Sequence, residues 1–266
     1  MLRALLLAAG MVWAAPSLAA EPPYNAQTTY DKLIRDYPYI TIASAEPAAP
    51  VTARKELVYA RRGDLALALD LYLPGPSAVA PPLVVLVHGG GWRSGERANL
   101  APLAARLAAR GYAAATVSYR LSGQARYPAA VNDVKDAVRW LGSRADEFGV
   151  DAARVAIAGG SAGGQIASLA GMQEPTLIRA VISIDGLSDF TSEEARKHED
   201  DPNKNPSAAG AWFGGRYAEQ TALWRDASPI NHVGKGSPPV QFITSGVPRF
   251  SVGREAMAAR LASHGI

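Results

Sequence analysis

The sequence predicts an α/β fold, with a mostly parallel central sheet and helices on both faces. Three observations lead there. Alternating apolar stretches on either side of Arg62-Gly63-Asp64 read as a hairpin, Leu83-Val84-Val85-Leu86-Val87 is apolar throughout, and helix-like and strand-like segments then follow one another from residue 98. Strands separated by helical segments build parallel βαβ units, and a central parallel strand is apolar at every position because both faces are covered.

Each element has its own signal. Leu57-Val58-Tyr59 begins the first strand, and Leu65, Leu67, Leu69, Leu71 and Leu73 recur at every second position until Pro74-Gly75-Pro76 ends the second; this is the period of a half-buried strand. An Ala- and Leu-rich helix is expected over 98–110, stopping at Gly111, and a strand over 112–119. One long helix over 129–148 places Val131, Val134, Val138 and Leu141 on one face, with Asp133 and Asp136 near its favourable N-terminal end. Asp151 turns the chain into a strand over 154–158, and a helix over 162–172 and a strand over 180–184 follow. From Gly186 the rhythm stops: acidic residues, prolines and the aromatics Trp212, Phe213, Tyr217 and Trp224 predict a cap-like insertion of short helices over 186–238, lying across the strand ends. A strand over 240–244 and a helix over 252–263 resume the pattern.

Composition bounds the rest. Residues 1–20 combine Arg3, an apolar run and small residues at Ala19 and Ala20, the pattern of a signal peptide cleaved near Ala19 or Ala20. The run is shorter than the ~20 residues that span a bilayer and is interrupted by Pro16. A periplasmic or secreted protein without stable membrane insertion is therefore expected. Residues 21–54, with the Ala/Pro-rich stretch 43–50, read as an N-terminal extension and linker, and 55–266 as one folded domain. There is no cysteine, so the nucleophile is an oxygen and thiolate metal sites are excluded. The 27 basic and 24 acidic residues are dispersed, which argues against a nucleic-acid partner, and nothing implies a metal or cofactor.

Two glycine-rich motifs carry chemistry. Gly159-Gly160-Ser161-Ala162-Gly163 fits G-x-S-x-G between a strand and a helix, where a sharp turn exposes the serine hydroxyl at a helix N-terminus. His88-Gly89-Gly90-Gly91-Trp92 ends the central strand. Its glycines let the N–H groups of Gly90 and Gly91 meet that of Ala162 at one point, an oxyanion hole in which one donor is worth about 3–4 kcal/mol. His88 is expected to organise this loop rather than act as a base.

With Val117-Ser118-Tyr119-Arg120-Leu121, Tyr127-Pro128-Ala129-Ala130 and the run from Asp133 to Leu141, these motifs stand in the order of the α/β-hydrolases. The chain resembles their esterase and lipase branch, with hormone-sensitive-lipase-like and feruloyl- or acetyl-esterase-like members. The resemblance implies the α/β-hydrolase fold and acyl transfer by Ser161, with an acid and then a histidine following it in the chain. The loop where such hydrolases usually keep the acid, Ser245 to Phe250, holds no carboxylate. Asp185 at a strand end and Glu255 in the last helix remain alternatives, while Asp189 and Asp226 resemble structural positions. His198, His232 and His264 all stand away from the expected place of the base, and the last strand and helix of the family fall beyond Ile266. The expectation is a shortened form of a longer esterase, with a catalytically impaired relative as the alternative.

The implied activity is an exported serine carboxylesterase acting on small acyl esters, including acetyl or feruloyl groups on polysaccharides. A binding module on a hydrolase fold is the second reading, and a serine peptidase the third, disfavoured by the triple-glycine loop. Trp92 and Tyr127, with Trp212, Phe213 and Trp224, form either an aromatic substrate pocket or the packing core of the insertion.

Overall fold

The computed structural model describes residues 24–44 and 50–266; the signal peptide expected over 1–20 lies outside them. The first helix, α1 (Ala26–Leu33), is capped by Asn25, whose side chain accepts from the Thr28 N–H at 3.0 Å, and buries none of its residues. The sheet begins with β1 (Thr52–Arg62), three residues inside the stretch read as linker. Leu73 draws it back, since Thr52 pairs with Leu73 across the hairpin. β2 (Leu65–Leu73) returns antiparallel after Gly63, whose φ of 60° suits the tight turn.

The remaining strands are β3 (Pro82–Val87), β4 (Ala113–Val117), β5 (Asp151–Gly160), β6 (Ala180–Ile184) and β7 (Val240–Ile243). Among the described residues the sheet has seven strands in the order β1-β2-β4-β3-β5-β6-β7, parallel from β4 to β7. β3 is buried from Leu83 to Val87. Leu83, Val85 and Val87 face one core with Val134, Ile157 and Ile166, while Val84 and Leu86 face a second with Ala101, Ala104 and Ala108. That division is why this strand is apolar at every position.

The helices depart from expectation in detail. The stretch 98–110 opens with a 3₁₀ turn (Arg97–Leu100) before α2 (Ala101–Ala108), which has Pro102 in its first turn. The single helix expected over 129–148 is two: α3 (Ala129–Ser143) and α4 (Ala145–Phe148) meet at Arg144, which leaves the helical region at φ −117°. The break follows Gly142-Ser143, two weak helix formers, and it lets Phe148 turn back onto Trp140 with ring centroids 5.7 Å apart. α5 (Ala162–Gln173) is buried along nearly its whole length between sheet and insertion. The insertion contains α6 (Glu193–Glu199), α7 (Ala208–Phe213), α8 (Tyr217–Asp226) and a 3₁₀ turn (Pro229–His232), and the chain continues through β7 to α9 (Arg254–Ser263).

A buried ionic knot ties the hairpin to the sheet. Asp133, fully buried in α3, accepts two hydrogen bonds at 2.8 Å from Arg120 after β4 and one at 3.3 Å from Arg62 at the end of β1. The Arg120 pair is the bidentate geometry that gives guanidinium–carboxylate contacts their strength.

Candidate active site

Three strand ends build the site. Ser161 follows β5 with φ 54° and ψ −123°, a strained left-handed conformation for a residue with a Cβ, and its N–H donates to the Ile184 carbonyl of β6 at 2.8 Å. The neighbouring glycines are required by contact. A Cβ on Gly159 would stand 2.3 Å from the Gly163 carbonyl oxygen, one on Gly163 2.1 Å from that of Val87, and one on Gly89 2.8 Å from that of Gly160. Elbow and triple-glycine loop are thus packed backbone to backbone.

The loop turns through φ 120° at Gly90, 58° at Gly91 and 60° at Trp92. Gly91 and Ala162 line one small pocket with Ser161, of about 70 Å³. The Ala162 N–H is the first of α5 and has no partner within the helix. Gly90 is not among the residues that line this pocket; its carbonyl accepts from the Ser94 N–H at 3.0 Å and hydroxyl at 2.9 Å. His88 is buried and stacked on Tyr119 at 4.3 Å, with Nδ1 2.9 Å from the Gly89 carbonyl. Burial lowers its pKa to about 4, so the ring is neutral and Nδ1 carries the proton it donates.

Of the two carboxylates proposed for the acid, the structure brings only Asp185 to the pocket. It stands at the end of β6 with φ 51°, and its Oδ1 accepts from the Ser245 N–H at 2.8 Å. Glu255 is exposed in the first turn of α9 and pairs with Arg254, which holds its carboxyl below the usual range. The distance follows from geometry: α9 starts a loop and a 3₁₀ turn (Pro248–Ser251) after β7, so its first turn faces solvent. Asp189 accepts from Thr191 at 2.7 Å, and Asp226 accepts from the Tyr127 hydroxyl and faces His232 at 3.6 Å; both serve local structure, as expected. Among the described residues no histidine lines the Ser161 pocket. His198 lies in α6, His232 has Nε2 2.6 Å from the Asp226 carbonyl, and His264 follows α9 with its N–H bonded to Leu261.

The aromatics resolve in favour of packing. Tyr127 does not reach the Ser161 pocket; it is buried edge-on against Trp212 at 5.1 Å and Phe213 at 5.7 Å, because Trp224 and Phe190 complete a stack that fills the underside of the insertion. Trp92 belongs to both, stacking on Trp212 at 5.1 Å while lining the pocket.

Three site residues lie outside the sequence-based set. Gln165 accepts from the Trp92 indole N–H at 2.9 Å and donates to the Ala227 carbonyl at 2.8 Å, holding loop, helix and insertion together. Its signal was visible, as an amide inside an otherwise small and apolar helix start. Glu199 and Arg249 also line the pocket, 3.5 Å apart. Glu199 hides in the acidic run Glu199-Asp200-Asp201, but it shares the buried side of α6 with Ala195, four residues earlier.

The chain is similar to known proteins in sequence and in fold. The sequence profile of the BD-FAE family matches residues 69–248. Esterase LipC of Mycobacterium tuberculosis is 30% identical over 218 residues, which cover 73% of this chain and 52% of LipC. Carboxylesterase NlhH of the same organism is 46% identical over 90 residues, covering 33% of this chain and 28% of NlhH. The chain spans about half the length or less of LipC, LipM and LipQ, curated relatives that it matches. A bacterial heroin esterase superposes with a TM-score of 0.70 at 24% identity, covering 92% of this chain and 82% of that one. A hyperthermophilic esterase from Pyrobaculum calidifontis does so with 0.68 at 25% identity, over 91% and 79%. With its elbow, its triple-glycine loop and most of its sheet inside the matched region, the chain belongs to the BD-FAE family and has the α/β-hydrolase fold.

Proposed function

We propose that the protein is an exported serine carboxylesterase that cleaves small acyl esters, acetyl or feruloyl groups on polysaccharides among them. The observation that carries the reading is Ser161, strained on its elbow and sharing one small pocket with Gly91, Ala162 and Asp185. The Ser161 oxygen adds to the ester carbonyl carbon, its proton passes to a base, and the carbonyl oxygen takes the negative charge beside the Gly91 and Ala162 N–H groups. Collapse expels the alcohol, which takes up a proton, and water then releases the acid from the acyl-serine. Asp185 is the group that orients the base. Export rests on the apolar N-terminal run, and the polysaccharide on the family's feruloyl- and acetyl-esterase members.

The test is hydrolysis of p-nitrophenyl acetate by the protein and by Ser161→Ala. Turnover that disappears with the hydroxyl supports the esterase; equal rates from both proteins overturn it. The second reading, a binding module on the same fold, is favoured by one observation, that no described histidine lines the pocket. It predicts ligand binding by both proteins with hydrolysis by neither.

A further inference from the structure

The Ser161 pocket holds two polar groups that ester cleavage itself does not use. Glu199, the last residue of α6, is 9% exposed, and its carboxyl has no hydrogen-bond donor among the described residues. Its counter-charge is Arg249, in the 3₁₀ turn after β7, with Nη2 3.5 Å from Oε1, too long for a good hydrogen bond. The Nε of Arg249 is itself buried without an acceptor among the described residues. Burial raises the Glu199 carboxyl above the usual range, and the positive charges of Arg249, His198 and Lys204 oppose that rise.

A buried donor or acceptor left unpaired costs about 1–3 kcal/mol, and a charged one more. Here the fold leaves the buried Arg249 Nε–H without an acceptor and gives the Glu199 carboxylate only a long ion pair, and both residues line the Ser161 pocket from two different elements. A single ligand group satisfies both at once. A hydroxyl donates its hydrogen to the carboxylate and accepts from the Nε–H; a carbonyl only accepts, an ammonium only donates, and a methyl does neither. Beyond Ser161, Gly91, Ala162 and Asp185 the rest of the wall is Trp92, Leu187, Ala208 and Phe250, and the pocket of about 70 Å³ leaves room for a group of acetyl size.

We propose that Glu199 and Arg249 form a hydroxyl-recognising subsite beside Ser161, selecting esters with a free hydroxyl close to the scissile bond, as in a partly acylated sugar. This rests on the esterase reading for its substrate, while its geometry stands on the unpaired Arg249 Nε–H and the loosely paired Glu199 carboxylate beside it. The pair determines specificity by binding, outside the bond-making steps.

Binding to the Ser161→Ala protein tests it without requiring turnover. Methyl 2-O-acetyl-xyloside and its analogue with the remaining hydroxyls O-methylated are titrated by chemical-shift perturbation. The free sugar ester is expected to bind at least tenfold tighter than the blocked one. Glu199→Gln, nearly isosteric, and Arg249→Lys, which keeps the charge but removes Nε, are each expected to cut that preference below threefold in proteins that still unfold cooperatively. Equal affinities, no binding of either compound, or an undiminished preference in both variants overturns the subsite. Ser161-dependent turnover without the preference removes the subsite alone; the preference without turnover removes the esterase reading and leaves the subsite standing.

Discussion

Replacing Gly163 by alanine tests how tightly the Ser161 elbow and the triple-glycine loop are joined. The added methyl would lie 2.1 Å from the Val87 carbonyl oxygen and 2.5 Å from that of His88, where ordinary contact begins at 3.4 Å. All the nearest atoms are backbone, so no side chain can swing aside. To restore contact, the start of α5 must move away from the end of β3 by about 1.3 Å. Overpacking of this kind costs about 1–3 kcal/mol of stability. The same shift separates Ser161 from Gly91, and a displacement near 1 Å in a catalytic site lowers rate by about a hundredfold. Urea unfolding and Ser161-dependent turnover of p-nitrophenyl acetate measure the two effects. A Gly163→Ala protein that loses less than about 0.5 kcal/mol and keeps its rate within threefold would refute the claim that these backbones are in contact.

Other outcomes follow from the same geometry. His88 titrates near 4 when folded against 6.5 ordinarily, so above pH 6.5 it is neutral in both states. Between 6.5 and 4 only the unfolded chain takes the proton, and stability falls by about 3 kcal/mol as pH drops through that window; the slope should flatten in His88→Asn, and identical slopes would contradict the assignment. Gln165→Leu leaves the Trp92 indole N–H and the Ala227 carbonyl unpaired in the interior, for a loss of about 2–4 kcal/mol in denaturant unfolding and a fall in turnover as the loop loosens. Ser161→Gly releases the strain at φ 54° and is expected to stabilise the fold by about 1 kcal/mol after the entropy of the added glycine, while abolishing turnover. A destabilised Ser161→Gly protein would mean that the elbow is not strained.

Elements governed by near neighbours in the chain were legible in advance. β3 announced its central place by five consecutive apolar residues, and the two glycine motifs announced the loop, where Gly90 and Gly91 take positive φ, and the elbow, where a Cβ on Gly159 or Gly163 would strike backbone. The insertion was legible as an interruption, since alternation ceases where β6 ends. What escaped were matters of partner. Arg144 breaks the long helix so that Phe148 can reach Trp140, and β1 begins at Thr52 because Leu73 lies opposite it. Tyr127 turned from a possible substrate contact to a packed ring because Trp212 and Phe213, more than 80 positions on, fold over it.

For the site, the residues by themselves marked the Ser161 elbow and the triple-glycine loop, since each is a backbone conformation written in a few adjacent side chains. Only the tertiary structure separated Asp185 from Glu255, drew Glu199 out of a solvated-looking acidic run and brought Arg249 to it beside Ser161. The physical reason is that a carboxylate has no local signature for burial. Whether it faces water or a nucleophile depends on which distant element covers it, and that is settled by packing.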